Sequence, residues 1–216
     1  GSIEMSLSNN RMVAETMARG VEAIQRQAVK GDQTASDWDA AAYQEILTSF
    51  VGSNPETFGG GIWFEPYQYR PEQRYFSPYC MRQNGAVTYV DNYSLGEGVY
   101  YTDQDWYTNA ANTTQKSVWS APYYDEFAQI SMVTSSAPIY DETGRLLGVA
   151  TADIDLTQMQ QMVLSLDVVA NGRAFLIDDT GVYIADEDSE KLLSANILED
   201  DNPSFAALGR QILSQQ

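Results

Sequence analysis

Residues Tyr100–Tyr107 read Y-Y-T-D-Q-D-W-Y, residues Val118–Asp125 read V-W-S-A-P-Y-Y-D, and residues Gly148–Leu156 read G-V-A-T-A-D-I-D-L. Aromatic rings and carboxylates recur together in all three separated stretches. Rings are flat apolar walls whose negative faces attract cations. Carboxylates accept hydrogen bonds from an ammonium or another N–H donor. A fold that converges the three stretches builds a cage for a small nitrogen-bearing ligand.

Strand and turn patterns surround them. Met132–Ile139 and Leu146–Ile154 flank the turn at Asp141–Gly144, and Tyr75–Met81 and Ala86–Val90 flank Asn84-Gly85; both read as hairpins. Upstream, residues 4–30 read as one long helix, with Val13, Met17, Val21, Ile24 and Ala28 on one stripe. A stripe this narrow serves either core packing or a dimer seam. Ser36 and Asp39 resemble a capping box for a second helix carrying Tyr43, Ile46, Leu47 and Phe50. Gly59-Gly60-Gly61 reads as a chain break before a strand at Ile62-Trp63-Phe64. Downstream, Asp155 or Thr157 caps a helix with Met159, Met162, Val163 and Leu166, and Ala174–Ile177 and Val182–Ala185 form a further strand pair. The class is α+β.

Composition narrows the function. The chain has 216 residues and a net charge of -18, which argues against nucleic-acid binding, since that needs a basic footprint. It contains no histidine, which removes Ser-His and Cys-His catalysis and His-based metal motifs. The one cysteine, Cys80, supplies no intrachain disulfide and reads as buried filler in a strand. No apolar run approaches the roughly 18 residues that span a bilayer. Gly1-Ser2 reads as a cloning remnant, so the sequence is expected to be a piece of a longer protein.

Order and spacing resemble the double Cache (dCache) sensors, extracytoplasmic input domains of bacterial chemoreceptors and sensor kinases. The resemblance rests on Trp106-Tyr107, on Trp119 with Pro122-Tyr123 and Asp125, and on Val133-Thr134 and Pro138-Ile139. Gly144, Gly148-Val149, Asp153 and Asp155-Leu156 complete it. It implies a long N-terminal helix (1–34), a membrane-distal PAS-like ligand-binding module (35–165) and a membrane-proximal PAS-like module (166–216). That second module is small or truncated, with no returning C-terminal helix evident.

The resemblance also implies a site. In amino-acid-sensing members an Arg two positions before the Trp holds the ligand carboxylate, while a Tyr, the Trp-Tyr pair and a late Asp frame the ammonium. Here Gln104 stands at the Arg position, followed by Asp105. Gln cannot supply the charged bidentate fork of a guanidinium, so α-amino acids bound in that way are disfavoured. Amine-sensing members, which keep the ammonium half, are similar. The expected ligand-binding set is Gln104, Asp105, Trp106, Tyr107, Trp119, Tyr123, Asp125 and Asp153. An amine is favoured and a nucleobase is next, the latter paired by Gln104. Trp63 and Tyr79 read as sheet packing ahead of pocket lining, and Asp155 as a helix cap.

The expected function is ligand sensing by a transmembrane chemotaxis receptor, with no catalytic residue, metal or cofactor. The partners are a small molecule, the membrane through flanking segments, and a second copy in the full receptor. Alternatives are the input domain of a histidine kinase or cyclic-dinucleotide enzyme binding an amino acid or carboxylate. More remote are a glycosidase using carboxylates such as Asp105, Asp125 and Asp153, and an adhesion domain.

Overall fold

The apolar stripe of the first helix, α1 (Ser2–Lys30), is core: Val13, Ala14, Met17, Ala18 and Val21 are all buried against the sheet. The structure, a computed structural model, describes residues 2–30, 40–91, 93, 97–166 and 172–215, and the side chains of 4–27 within α1. Ser36, Asp39 and the side chain of Ala28, invoked for helix capping and for the stripe, lie outside the described set. The next helix, α2 (Ala40–Ser53), buries Tyr43, Leu47 and Val51 at four-residue spacing, one helical face. The Tyr43 ring meets Phe64, Tyr69 and Phe76 edge-on at centroid distances of 5.5, 5.8 and 5.8 Å. Each fully buried side chain of the Leu or Phe class contributes about 1.5–3 kcal/mol, so these two helices supply much of the force that holds the sheet.

That sheet has seven strands: β1 (Gly59–Phe64), β2 (Tyr79–Gln83), β3 (Ala86–Val90), β4 (Val118–Trp119), β5 (Tyr123–Asp125), β6 (Ile130–Tyr140) and β7 (Leu146–Asp155). The order is β3-β2-β1-β7-β6-β4, with β5 also on β6, and every pairing is antiparallel. Asn84 (φ 50°) and Gly85 (φ 79°) give the two positive φ angles of a type I′ turn between β2 and β3. A short helix, α3 (Asp105–Ala111), lies between β3 and β4 in the chain.

Strand alternation assigns the two faces. Ile62 and Phe64 of β1, Cys80 of β2, Ala137 and Ile139 of β6, and Ala150 and Ala152 of β7 lie in the core under α1 and α2. Trp63, Tyr79, Met81, Met132 and Val149 belong to a second core on the other face, with Trp106 and Tyr107 of α3.

The glycine triplet departs from its sequence reading. Gly59, Gly60 and Gly61 are not a break but the first half of β1, the strand between β2 and β7. A Cβ on Gly59 would lie 2.2 Å from the Tyr79 hydroxyl, and one on Gly61 would lie 2.6 Å from the Trp63 indole. Both glycines leave a bare strip of backbone on which rings lie flat.

Asp155 caps α4 (Leu156–Leu164), its side chain accepting from Thr157 N at 2.7 Å. A two-stranded sheet follows, β8 (Leu176–Ile177) with β9 (Tyr183–Ala185). It is tied to α4 through Gln160, whose side chain exchanges hydrogen bonds with both backbone groups of Asp186. The sequence reading passes over a last helix, α5 (Pro203–Leu213), capped by Asn202 with Pro203 at its first position. No helix among the described residues is long and apolar enough to cross a membrane.

These contacts predict opposite outcomes for two glycines. Gly59→Ala forces the Tyr79 hydroxyl aside and costs about 1–3 kcal/mol. Gly52→Ala in α2, with nothing within 4 Å, is neutral or stabilising by up to roughly 1 kcal/mol. Urea unfolding of both variants checks this, and equal effects would remove the close-approach role of Gly59.

Candidate functional site

One carboxylate organises the second face. Asp153 sits near the end of β7 and is 3% exposed. Its Oδ2 accepts from the Tyr79 hydroxyl at 2.7 Å and its Oδ1 from the Thr134 hydroxyl at 2.8 Å. Thr134 is its direct cross-strand partner on β6. Tyr79 lies two strands away on β2, and its side chain crosses β1 over Gly59, the register partner of Asp153. Tyr123 extends the chain of hydroxyls, its Oη lying 2.7 Å from Thr134 Oγ1.

A second carboxylate faces the first. Asp125, at the end of β5, is 6% exposed. It accepts from the Tyr93 hydroxyl through Oδ2 and from the Ala128 backbone N–H at 2.7 Å through Oδ1. Trp63 closes one wall, with its indole N–H donating to Thr151 Oγ1 at 2.8 Å. Around it pack Trp106 (centroids 4.7 Å), Tyr93 (5.2 Å) and Tyr79 (5.8 Å). The cage is lined by Trp63, Tyr79, Tyr93, Trp106, Tyr123 and Met132, with Thr134, Thr151 and the two aspartates. It holds about 10 Å³ of free space, room for about one water. Among the described residues, no lysine or arginine lines it.

Burial pushes the Asp153 carboxyl up to about 7. The hydrogen bonds from Tyr79 and Thr134 pull the other way, and the charge of Asp125 adds to the rise. The hydroxyls of Tyr79, Tyr93 and Tyr123 are raised, first by burial and then by neighbouring carboxylates, so they remain protonated donors. Chemically the cage is a set of acceptors backed by π faces, suited to a small N–H-bearing cation.

Of the sequence-derived set, Trp106, Tyr123, Asp125 and Asp153 converge here, while Gln104, Asp105, Tyr107 and Trp119 do not line the cage. The reason is helical rotation: consecutive residues of α3 point about 100° apart. Trp106 turns inward and is 6% exposed, while Gln104 precedes the helix and donates to Tyr100 O at 3.3 Å. Asp105, the first residue of α3, is exposed. Tyr107 is buried but turns away, its hydroxyl donating to Glu65 Oε1 at 2.6 Å. Trp119 packs on a third core with Leu7, Met162 and Leu176. Tyr93, Met132 and Thr151 were not singled out by the sequence reading. Thr151 had a readable signal: it lies two residues before Asp153 in a strand, and so on the same face.

The architecture, a long helix on one face of an antiparallel sheet and a ring-and-carboxylate cage on the other, is that of a sensor domain. Residues 43–161 match the methyl-accepting chemotaxis protein-like, first PDC sensor domain, and the chain belongs to that family. It is 25% identical over 194 residues to the methyl-accepting chemotaxis protein McpA of Pseudomonas putida, covering 87% of this chain and 29% of that receptor's length. Among solved structures it is similar to the extracellular domain of the putative histidine kinase mmHK1S-Z3, with a TM-score of 0.79 and 20% identity over 99% of this chain and 76% of that one. It is also similar to the ligand-binding domain of the Pseudomonas aeruginosa PAO1 amino acid chemoreceptor PctC in complex with GABA. There the TM-score is 0.62 and the identity 19%, over 92% of this chain and 77% of that one. The resemblance to Cache-type sensors therefore stands.

The raised Asp153 carboxyl predicts a pH signature. An unfolded Asp titrates near 4, so between about pH 4 and 7 the folded chain holds a proton that the unfolded chain has lost. Stability from this group is full below pH 4 and is lost as pH rises towards 7, by on the order of 4 kcal/mol. Asp153→Asn removes the titration, so the variant gains on the parent protein as pH rises through this window. Denaturant unfolding at several pH values reads the difference, and a gap that stays constant would mean an ordinary carboxyl.

Proposed function

We propose that this domain is the extracytoplasmic ligand-binding part of a transmembrane chemotaxis receptor, and that its ligand is a small organic amine held as its ammonium in the Asp153 cage. The observation that carries the proposal is two buried carboxylates walled by aromatic rings with, among the described residues, no basic side chain in the lining. An α-amino acid or other carboxylate would meet Asp125 and Asp153 with no cation to pair it, a cost of several kcal/mol on general grounds. The nucleobase alternative relied on Gln104 as an amide-edge partner, and Gln104 lies outside the lining. The GABA bound by PctC carries an amino group at one end and a carboxylate at the other, and only its ammonium end is compatible with such a site. A histidine-kinase sensor would use the same cage and differ in its output segment.

The cage leaves room for about one water, so admitting an amine requires its rings to part. Trp106, on α3, is one of the rings outside the sheet that pack against Trp63, with Tyr93 and Tyr101. Behind the cage, the Ala152 carbonyl next to Asp153 accepts from the Asn10 side chain of α1 at 2.8 Å. A shift of β7 on ligand binding therefore acts directly on the long helix, biasing two packings of the kind used in transmembrane switching.

A thermal-shift screen of amines, nucleobases, amino acids and carboxylates tests the class, since a hundredfold excess over Kd stabilises by about 2.7 kcal/mol. Amines should register, and tight binding of an unmodified α-amino acid would overturn the reading. For the best amine, Asp153→Asn should weaken binding by roughly 1.5–3 kcal/mol. Gln104→Ala should change it by less than about 0.5 kcal/mol. Because an ammonium selects ionised Asp153, affinity should rise up to about tenfold per pH unit below 7 and level off above it. Calorimetry at pH 5.5–8 in two buffers of different ionisation heat would detect the released proton.

A further inference from the structure

Trp119 sits not in the acidic cage but in a separate cavity of about 300 Å³ at the junction of the two sheets. Its walls come from five elements: Leu7 of α1, Trp119 and Val133 of β4 and β6, Met159 of α4, and Ile184 of β9. These side chains are apolar. Asp178 and Asp179, in the turn after β8, also line the cavity, and among the described residues no lysine or arginine does. The Asp178 carboxylate uses Oδ1 to accept from Thr180 N, Thr180 Oγ1 and Val182 N at 2.9, 2.8 and 2.9 Å, which fixes the group in place. Asp179 is exposed.

Ligand cavities begin at about 300 Å³ and are mostly apolar, with a few placed polar groups that set orientation. This one meets both conditions, and the charge its described residues offer is negative. We propose that it is a second binding site, for a small organic cation with an apolar or aromatic body. The body would pack on Trp119 and the aliphatic wall, with the cationic end at Asp178 and Asp179. A carboxylate of the same shape is rejected by those two charges. The proposal does not depend on how the Asp153 cage is read. Its consequence for signalling would differ as well, because one bound molecule would touch α1, both sheets and α4 at once.

The test uses three probes of one shape: benzylammonium, benzyl alcohol and benzoate. Site-resolved detection comes from the indole N–H signals of a ¹⁵N-labelled domain, assigned by substitution. Benzylammonium should shift the Trp119 signal in a saturable way, with benzyl alcohol at least fivefold weaker and benzoate without effect. The Trp119 response should persist in Asp153→Asn, whereas binding in the distal cage moves Trp63 and Trp106 and is weakened by that substitution. Asp178→Asn combined with Asp179→Asn should bring benzylammonium down to the level of benzyl alcohol. The amide introduced by Asp178→Asn retains an oxygen that can accept the turn's hydrogen bonds, so the fold of the turn is kept. The proposal is overturned if Trp119 does not respond to benzylammonium at millimolar concentration, if the three probes act alike, or if the response disappears in Asp153→Asn.

Discussion

A carboxylate in the middle of an antiparallel sheet is an expensive group to bury, and the seven-stranded sheet is arranged around Asp153. Unpaired, its charge would cost several kcal/mol. The fold answers with two hydroxyl donors, Tyr79 and Thr134. Thr134 comes from the neighbouring strand at no topological cost. Tyr79 comes from two strands away, and its phenol reaches Asp153 only because the strand between them has glycine at position 59. Gly61 does the same for Trp63, whose indole folds back over the strand to Thr151 on β7. One acid therefore accounts for a tyrosine, a threonine and the glycine at 59.

The opposite face of the same strand carries the mechanical link. Successive residues of β7 point to opposite faces, so Ala152 looks into the helix layer while Asp153 looks into the cage. The Ala152 carbonyl is held by Asn10, fully buried on α1, and Asn10 in turn accepts from the Thr57 hydroxyl at 2.8 Å. A buried side-chain amide with both ends engaged resists sliding, because movement would leave a polar group without a partner. Further along α1, Arg19 donates to Pro138 O at 2.6 Å, and Glu22 accepts from Tyr140 N at 3.0 Å. The long helix is therefore gripped polar group to polar group along β6 and β7, so movement of the sheet is passed to it without the slack of purely apolar contact.

Much of this was legible in sequence because it obeys short-range periodicity. The stripe of α1, the Asn84-Gly85 turn, the β6–β7 hairpin and the Asp155 cap follow from spacing and turn chemistry alone. The site was legible in part. Asp153 stands out as an acid in an apolar strand, and Asp125 and Trp106 through the family resemblance. Tyr93 was not, because its role depends on the long-range approach of a residue from beyond β3 to Asp125, 32 positions away. Gln104, Asp105 and Tyr107 enter with Trp106 through the family resemblance, and the turn of the backbone into α3 separates neighbours in sequence. The glycine run escapes local rules for a related reason: it reads as a break in sequence, and Gly59 and Gly61 become a floor for aromatic rings only by tertiary contact. The Asn202-Pro203 start of α5 was a local signal that went unused.

On the proposed reading, the two carboxylates keep a cage so well satisfied by its own hydroxyls fit to bind an ammonium. Burial disfavours charge on Asp153, and the charge of Asp125 in the same low-dielectric space adds to that effect. Protonating Asp153 relieves the repulsion but weakens its hydrogen bonds, since charge-assisted bonds are roughly twice as strong as neutral ones. An ammonium relieves it without that loss, because it supplies positive charge and several N–H donors to the same oxygens. On the amine reading proposed above, folding stability is set against ligand affinity within a single group: what makes Asp153 costly to ionise in the protein alone is what would make a cation beside it favourable. A neutral Asn at this position would end that conflict, and with it the charge that lets the cage distinguish an amine from an alcohol of the same size.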